Sequence, residues 1–118
     1  MGGMIPQDWT PVHRPEDDEL VGYLVPGAEA STPVTLFGHP LSGPTDADEA
    51  EALLLRLGLP VLAEPWELVG GAEEGVRVHI MSADSEGVVV ARADFGFVSH
   101  DSERQRLPVP TDRLRPWR

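Results

Sequence analysis

Hydrophobic and polar residues alternate most regularly between residues 76 and 94. The first run sets three aliphatic residues against three others: Val76, Val78 and Ile80 against Arg77, His79 and Met81. A turn at 84–87 follows, and a β-rich run then extends from Val88 to Asp94. Period-two alternation is typical of a strand with one buried face. We predict an antiparallel hairpin with Arg77, His79 and Met81 on its solvent face, flanked by Arg92 if the register follows the turn.

Shorter apolar runs predict further strands. Leu20–Val25 ends at Pro26-Gly27, and Val34–Phe37 lies between Pro33 and Gly38, so the two runs predict a second hairpin. The runs Val61–Ala63 and Trp66–Val69 are split by Pro65, which is typical of an edge strand because proline has no N–H to donate. A last strand is expected at 106–109.

Two segments have helical patterns. The longer has apolar residues at helical spacing: Ala47, Ala50, Leu54 and Leu57. Thr45 is the predicted N-cap, with Asp48 completing a capping box, and Gly58 ends the segment, which predicts a helix from Asp46 to Leu57. The shorter segment, Thr111–Leu114, predicts a single helical turn capped by Thr111.

These elements define the predicted fold class, which is α+β and mostly β. We expect a small twisted antiparallel sheet or an SH3-like partial barrel with one packed α-helix. The length of 118 residues suits a single domain. Within it we expect an extended acidic and Pro-rich arm at 1–19 and a hairpin plus the helix at 20–69. An antiparallel β region at 70–114 and a tail at 115–118 complete the chain.

The region from Trp66 to Leu114 is similar in architecture to the SH3-like small barrels. The patterns at 22–26 (Gly-Tyr-Leu-Val-Pro), 34–38 (Val-Thr-Leu-Phe-Gly) and 110–116 (Pro-Thr-Asp-Arg-Leu-Arg-Pro) resemble a group of uncharacterised small proteins from GC-rich bacteria. The absence of lysine beside nine arginines agrees with such coding. The resemblance implies no known activity.

The chain is acidic, with a formal net charge of −11. A field of this sign repels phosphate backbones, so nucleic-acid binding by the whole surface is disfavoured. The segment Arg104–Arg118 is the exception, because it carries five arginines and Trp117. It would suit RNA or an acidic partner, but we favour pairing with the acidic first half of this chain or of a second copy.

Several kinds of chemistry are disfavoured by what the sequence lacks. With no cysteine there are no disulfides, zinc-thiolate sites or thiol nucleophiles. No apolar run approaches about 20 residues, and the start of the chain does not resemble a secretory signal, so we expect a cytoplasmic protein without membrane contact. Ser99-His100-Asp101-Ser102 holds the residue types of a triad, but neighbouring residues point apart. We expect no cofactor and no metal.

The leading hypothesis is therefore a non-catalytic protein-interaction or regulatory module that binds a partner protein or itself. Its candidate contact residues are Trp9, Arg77, His79, Met81, Arg92 and Trp117. One alternative is a small metal-dependent hydrolase that uses His79 or His100 with a carboxylate from Asp94 or Asp101. The other is RNA contact through the Arg-rich C-terminal segment.

Overall fold

A computed structural model describes residues 5–71, 75–93 and 103–117, and they form two antiparallel sheets with one α-helix. The mostly β, α+β prediction is confirmed. The elements are β1 (Thr10–His13), β2 (Leu20–Pro26), β3 (Ser31–Val34), α1 (Ala47–Leu57), a 3-10 helix (Pro60–Ala63), β4 (Trp66–Leu68), β5 (Val76–Ala83), β6 (Gly87–Arg92), β7 (Arg104–Pro108) and β8 (Leu114–Pro116).

The first sheet has the order β1-β2-β3. Its strand β1 lies inside the segment 1–19, which was predicted to form only an extended arm, so that prediction was wrong for Thr10–His13. The run is too short to show a period of its own, and it becomes a strand because β2 supplies its partners, with Val12 opposite Gly22. Strands β2 and β3 form an antiparallel hairpin, as predicted for this region, but its second strand lies earlier in the chain than the predicted Val34–Phe37.

Strand β3 ends earlier than the sequence predicts. The predicted strand was Val34–Phe37, whereas the observed one is Ser31–Val34, so the two share only Val34. The buried hydroxyl of Thr35 accepts hydrogen bonds from the backbone N–H groups of Phe37 and His39, at 3.3 and 3.1 Å. A side chain that binds the backbone two to four residues ahead turns the chain, and so it ends the strand.

The helix α1 covers the predicted residues but is capped differently. The Asp46 carboxylate accepts from the N–H of Glu49 at 2.9 Å, so Asp46 is the N-cap instead of Thr45. Ala50 and Leu54 are fully buried against the first sheet, in a small core with Val21. Among the described residues, no helix combines the length and the apolar character needed to cross a membrane.

The second sheet has the order β7-β6-β5-β4-β8. Strand β4 lies between β5 and β8, so the prediction of an edge strand was wrong. Pro65 precedes the strand and does not interrupt its ladder, and its carbonyl accepts from the N–H of Trp117 at 3.2 Å. Within the described part of the chain, β7 and β8 are the two edges of this sheet.

The predicted helical turn at Thr111–Leu114 does not form, and Leu114 instead begins strand β8, which also includes the first two residues of the predicted tail. The Thr111 hydroxyl does accept a hydrogen bond from the N–H of Arg113, at 3.1 Å, as a cap would. The chain nevertheless continues in extended form because β4 offers a ladder, in which Leu114 lies opposite Leu68 and Pro116 opposite Trp66. Tertiary pairing overrides the local signal here.

The larger core lies on one face of the second sheet. Trp66, 1% exposed, contacts the edge of the Phe37 ring with 4.9 Å between centroids, and its indole N–H donates to the carbonyl of Val61 at 3.1 Å. Phe37 follows the first sheet and its carbonyl accepts from the N–H of Thr111, so it joins the two sheets. Gly38 has φ +90°, and a Cβ there would lie 2.7 Å from Pro110, which requires glycine at this junction.

Candidate interaction surface

The strand register assigns side chains to the two faces of the second sheet. Residues directly opposite each other in an antiparallel pair project to the same face, as do residues two apart on one strand. The face that carries the large core is called the inner face below. The other, the outer face, consists of Glu67, Arg77, His79, Val89, Ala91, Arg104, Arg106 and Arg115.

Arg77 and His79 occupy the centre of the outer face, two residues apart on β5, as the alternation predicts. The Cζ atom of Arg77 lies 5.6 Å from the centroid of the Trp117 ring, which is a cation–π distance. Trp117 is 36% exposed. The fold thus brings together three of the predicted contact residues, from strand β5 and from the residue after β8.

Two buried nitrogen atoms of this centre lack partners. Within the described residues, neither Nε of Arg77 nor Nε2 of His79 has a hydrogen-bond partner, although both atoms are inaccessible to solvent. Buried polar atoms are paired in the large majority of cases, because an unpaired one costs about 1–3 kcal/mol. The centre of the outer face therefore holds two groups with unused hydrogen-bonding capacity.

Three arginines of the outer face were not among the predicted contact residues of the leading hypothesis, although they lie in the Arg-rich segment named for the RNA alternative. Arg104, Arg106 and Arg115 are exposed and extend the basic surface to both edges of the sheet. The sequence contained a signal for two of them, since Arg104 and Arg106 alternate with Gln105 as they would on one face of a strand. Arg115 could not be found in this way, because its strand was predicted as a tail.

Glu67 is the acidic member of the outer face. Its carboxylate accepts a hydrogen bond from Nε of Arg115 at 2.6 Å, and it lies opposite Arg77 on the neighbouring strand. The Arg115 hydrogen bond lowers the pKa of the Glu67 carboxyl. Arg113 makes a contact in the same region, because its Nε donates to the carbonyl of Val69, the residue after β4, at 3.0 Å. Pairing of the C-terminal arginines with the acidic first half of this chain or of a second copy stays a prediction.

Arg92 was predicted to flank this group, and that prediction was wrong. Arg92 lies opposite Val78, so it projects to the inner face, where it lines a cavity. A shift of one residue in register moves a side chain to the other face, and the turn at 84–87 alone does not fix that register. Met81 is 44% exposed and lies at an irregularity between Ile80 and Ser82, which leaves it without an opposite residue.

Trp9 belongs to a different part of the molecule. Its ring lies 6.0 Å from that of Tyr23 in the first sheet, and it approaches Gly38 at the junction of the sheets. The predicted contact residues are therefore divided: Arg77, His79 and Trp117 lie together, whereas Trp9 and Arg92 do not join them.

Of the residues proposed for the alternative hydrolase, the structure describes only His79. His100, Asp94 and Asp101 lie outside the described residues, so their pairing with His79 stays a prediction. Within 5–71, 75–93 and 103–117, no three His, Asp or Glu side chains are placed to hold a metal ion. His39 packs edge-on against Trp66 at 5.1 Å, and burial lowers its pKa.

Comparison of the chain with known proteins gave no match to a protein-family model, to a curated protein or to a solved structure.

Proposed function

We propose that this protein is a non-catalytic interaction module whose outer face binds an acidic, extended segment of a partner protein. The observation that carries the proposal is the gathering of Arg77, Arg104 and Arg106 on one face of the sheet, beside the partly exposed ring of Trp117. A carboxylate-bearing partner would supply acceptors to a surface rich in donors.

The spacing of charges favours a protein segment over a nucleic acid. The arginines of the outer face are divided among β5, β7 and β8, and Glu67 and the apolar Val89 lie between them. A peptide with carboxylates at intervals matches this arrangement, whereas a nucleic acid would present a continuous line of phosphates to Glu67 as well. The net charge of −11 repels every anion, and this repulsion grows with the number of charges, so a peptide with few carboxylates is repelled less than a long nucleic acid.

Trp117 supports the same interpretation. It lies partly exposed beside Arg77, and tryptophan and arginine are the residue types most enriched among those that dominate binding energy at protein interfaces. The ring would cover one side of a bound chain while the guanidinium groups pair with its carboxylates.

The direct test is the affinity for a short labelled peptide in which glutamate alternates with serine, measured by fluorescence anisotropy at low and high salt. We expect saturable, salt-sensitive binding that Arg104→Glu weakens by about ten-fold or more. Arg56→Glu is the matched control, because Arg56 is also exposed and changes the net charge equally but lies on α1. Equal losses from the two variants would contradict a specific face.

Two further outcomes would overturn the choice of partner. Tighter binding of a single-stranded RNA oligonucleotide than of the peptide, lost in Arg104→Glu, would favour RNA. A mass that doubles with concentration in ultracentrifugation, and that Arg104→Glu returns to the monomer value, would make a second copy of the chain the occupant.

A further inference from the structure

Strand β7 is an edge of the second sheet. Among the described residues it pairs only with β6, and all of its residues except Leu107 are exposed. An edge strand presents backbone N–H and C=O groups that are a template for pairing with another chain. This edge is therefore a place where an extended segment can add to the sheet.

The backbone of β7 alternates between its two sides. The N–H of Arg92 donates to the carbonyl of Glu103 at 2.8 Å, so these two residues form a hydrogen-bonded pair just before β7. Hydrogen-bonded and non-hydrogen-bonded pairs alternate along an antiparallel ladder. The register therefore directs the backbone groups of Gln105 and Leu107 to β6 and those of the residues between them to the edge.

The residues with their backbone directed to the edge are Arg104, Arg106 and Pro108. Proline at the last position agrees with this assignment, because it has no N–H and is tolerated where the ladder does not need one. The edge thus offers the N–H groups of Arg104 and Arg106, about 7 Å apart. The side chains of the same two residues project to the outer face, so main-chain donors and guanidinium groups coincide.

The two arginines are not equivalent. A Cβ on Gly87 would lie 2.9 Å from three atoms of the Arg106 guanidinium, so this group covers the glycine beside the β5–β6 turn. The backbone N–H groups of Glu86 and Gly87 lower the pKa of the Asp84 carboxyl, and the charge of Arg106 lowers it further. Arg104 begins the strand at the opposite end, so we expect it to contribute more to the binding of an anion.

We propose that the acidic segment of the partner pairs with β7 as a sixth strand of the second sheet, with carboxylates two residues apart beside Arg104 and Arg106. This inference rests on the proposed function and specifies how the segment binds. Residues two apart in an extended chain lie on one face, about 7 Å from each other. Main-chain hydrogen bonds would supply affinity, and the alternate carboxylates would supply specificity.

A second copy of the chain is a poorer occupant of this edge. Antiparallel pairing of two β7 strands in the register that uses both N–H groups would place Arg104 of each copy opposite Arg106 of the other. Like charges directly opposite each other destabilise a pair of strands. Glutamates of an acidic segment would give opposite charges at the same positions.

Hydrogen exchange of the backbone amides, followed by NMR, tests the edge directly. In the free protein we expect the N–H groups of Gln105 and Leu107 to be protected and those of Arg104 and Arg106 to exchange rapidly. Saturation with the alternating glutamate–serine peptide should slow the exchange of Arg104 and Arg106 by about ten-fold or more. Protection of these two amides in the free protein would show that the edge is already covered and would overturn the inference.

The same titration separates the added strand from the proposed function. Salt-sensitive binding that leaves the exchange of Arg104 and Arg106 unchanged would retain the outer face as the binding surface and overturn the added strand. The absence of binding would overturn both.

Two variants at one position remove the charge with and without the N–H. Arg106→Gln and Arg106→Pro both lose the guanidinium, but only Arg106→Pro loses the edge N–H. The ladder to β6 does not use this N–H, and the preceding residue is already extended, so we expect both variants to fold. Arg106→Pro should bind the peptide about ten-fold more weakly than Arg106→Gln. Equal affinities of the two folded variants would contradict the added strand.

Peptides methylated on their backbone nitrogens give a test that leaves the protein unchanged. In an added strand, one alternate set of N–H groups faces β7 and the other faces away. Methylation of either the glutamate or the serine nitrogens should therefore abolish binding, while methylation of the other set should leave it nearly unchanged. Equal effects of the two peptides would overturn the inference.

Discussion

The inner and outer faces of the second sheet are built from the same five strands but have opposite chemistry. On the inner face Trp66, Val90 and Leu107 are at most 1% exposed and form the core. On the outer face Arg104, Arg106 and Arg115 are exposed. Neighbouring residues of a strand thus lie alternately in the core and on the outer face, whose arginines come from β5, β7 and β8. The formal net charge of −11 does not reveal this local basic surface. A partner that docks on one face is affected mainly by the charges of that face and less by the total charge of the protein.

The largest effect is expected on the inner face, from Trp66→Ala. Replacing a fully buried aromatic residue by alanine typically costs about 3–5 kcal/mol, and here it would also remove the contact with Phe37 and leave the Val61 carbonyl without its donor. Urea denaturation should show this loss or an unfolded protein. Trp117→Ala is the outer-face control and should cost less than about 1 kcal/mol. Equal costs would mean that the two faces do not differ as described.

A sharper comparison uses two neighbours on β5. Val78 is 2% exposed, and removing its two methyl groups in Val78→Ala should lower the free energy of unfolding by about 2 kcal/mol. Arg77→Ala should cost less than about 1 kcal/mol, since it removes a cation–π contact and a buried unpaired nitrogen together. Thermal or urea denaturation of both variants checks the order, and a larger cost for Arg77→Ala would reverse the assignment of faces.

The free energy of unfolding should depend on pH through His39, which packs on Trp66 of the inner face. Because burial lowers the pKa of His39, the unfolded chain binds a proton more readily than the folded one. Its contribution to stability is therefore present above the ordinary histidine pKa of about 6.5 and is lost as the pH falls towards the lower folded value. Urea denaturation between about pH 7.5 and 5.5 should show a shallower decline for His39→Gln than for the wild type, and parallel curves would contradict this.

The smallest effect on stability is expected from His79→Ala on the outer face. The change removes a buried nitrogen that has no partner, so the loss of packing is partly offset and the free energy of unfolding should change by no more than about 0.5–1 kcal/mol. Binding of the acidic peptide should weaken. A large loss of thermal stability would show that His79 belongs to a packed interior.

The sequence predicted those features that depend on local pattern. The alternation at Val76–Ile80 identified the β5–β6 hairpin, and the spacing of Ala50 and Leu54 identified α1 and its buried side. The predictions that were wrong concern segments whose structure depends on pairing with another strand. Strand β1 exists because β2 pairs with it, and Leu114–Pro116 forms a strand because β4 does.

The candidate surface, too, could be predicted from the sequence only where local alternation decides the face of a residue. Arg77 and His79 were assigned to one face by alternation alone, but the face of Arg92 depends on a register that turn residues do not specify. Trp117 lies near Arg77 because β8 pairs with β4. These two strands are far apart in the sequence, so local patterns do not predict their pairing. Only the assembled sheet shows the arginines of β5, β7 and β8 as one surface.

The measurement that tests the central claim most directly is a titration of the isotope-labelled protein with the acidic peptide, followed by amide chemical shifts. The outer-face account predicts saturable shifts at Arg77, His79, Ala91 and Arg104, with those of α1 and the first sheet nearly unchanged. Shifts concentrated in β1–β3 or in α1, or no saturable shift at low salt, would contradict it.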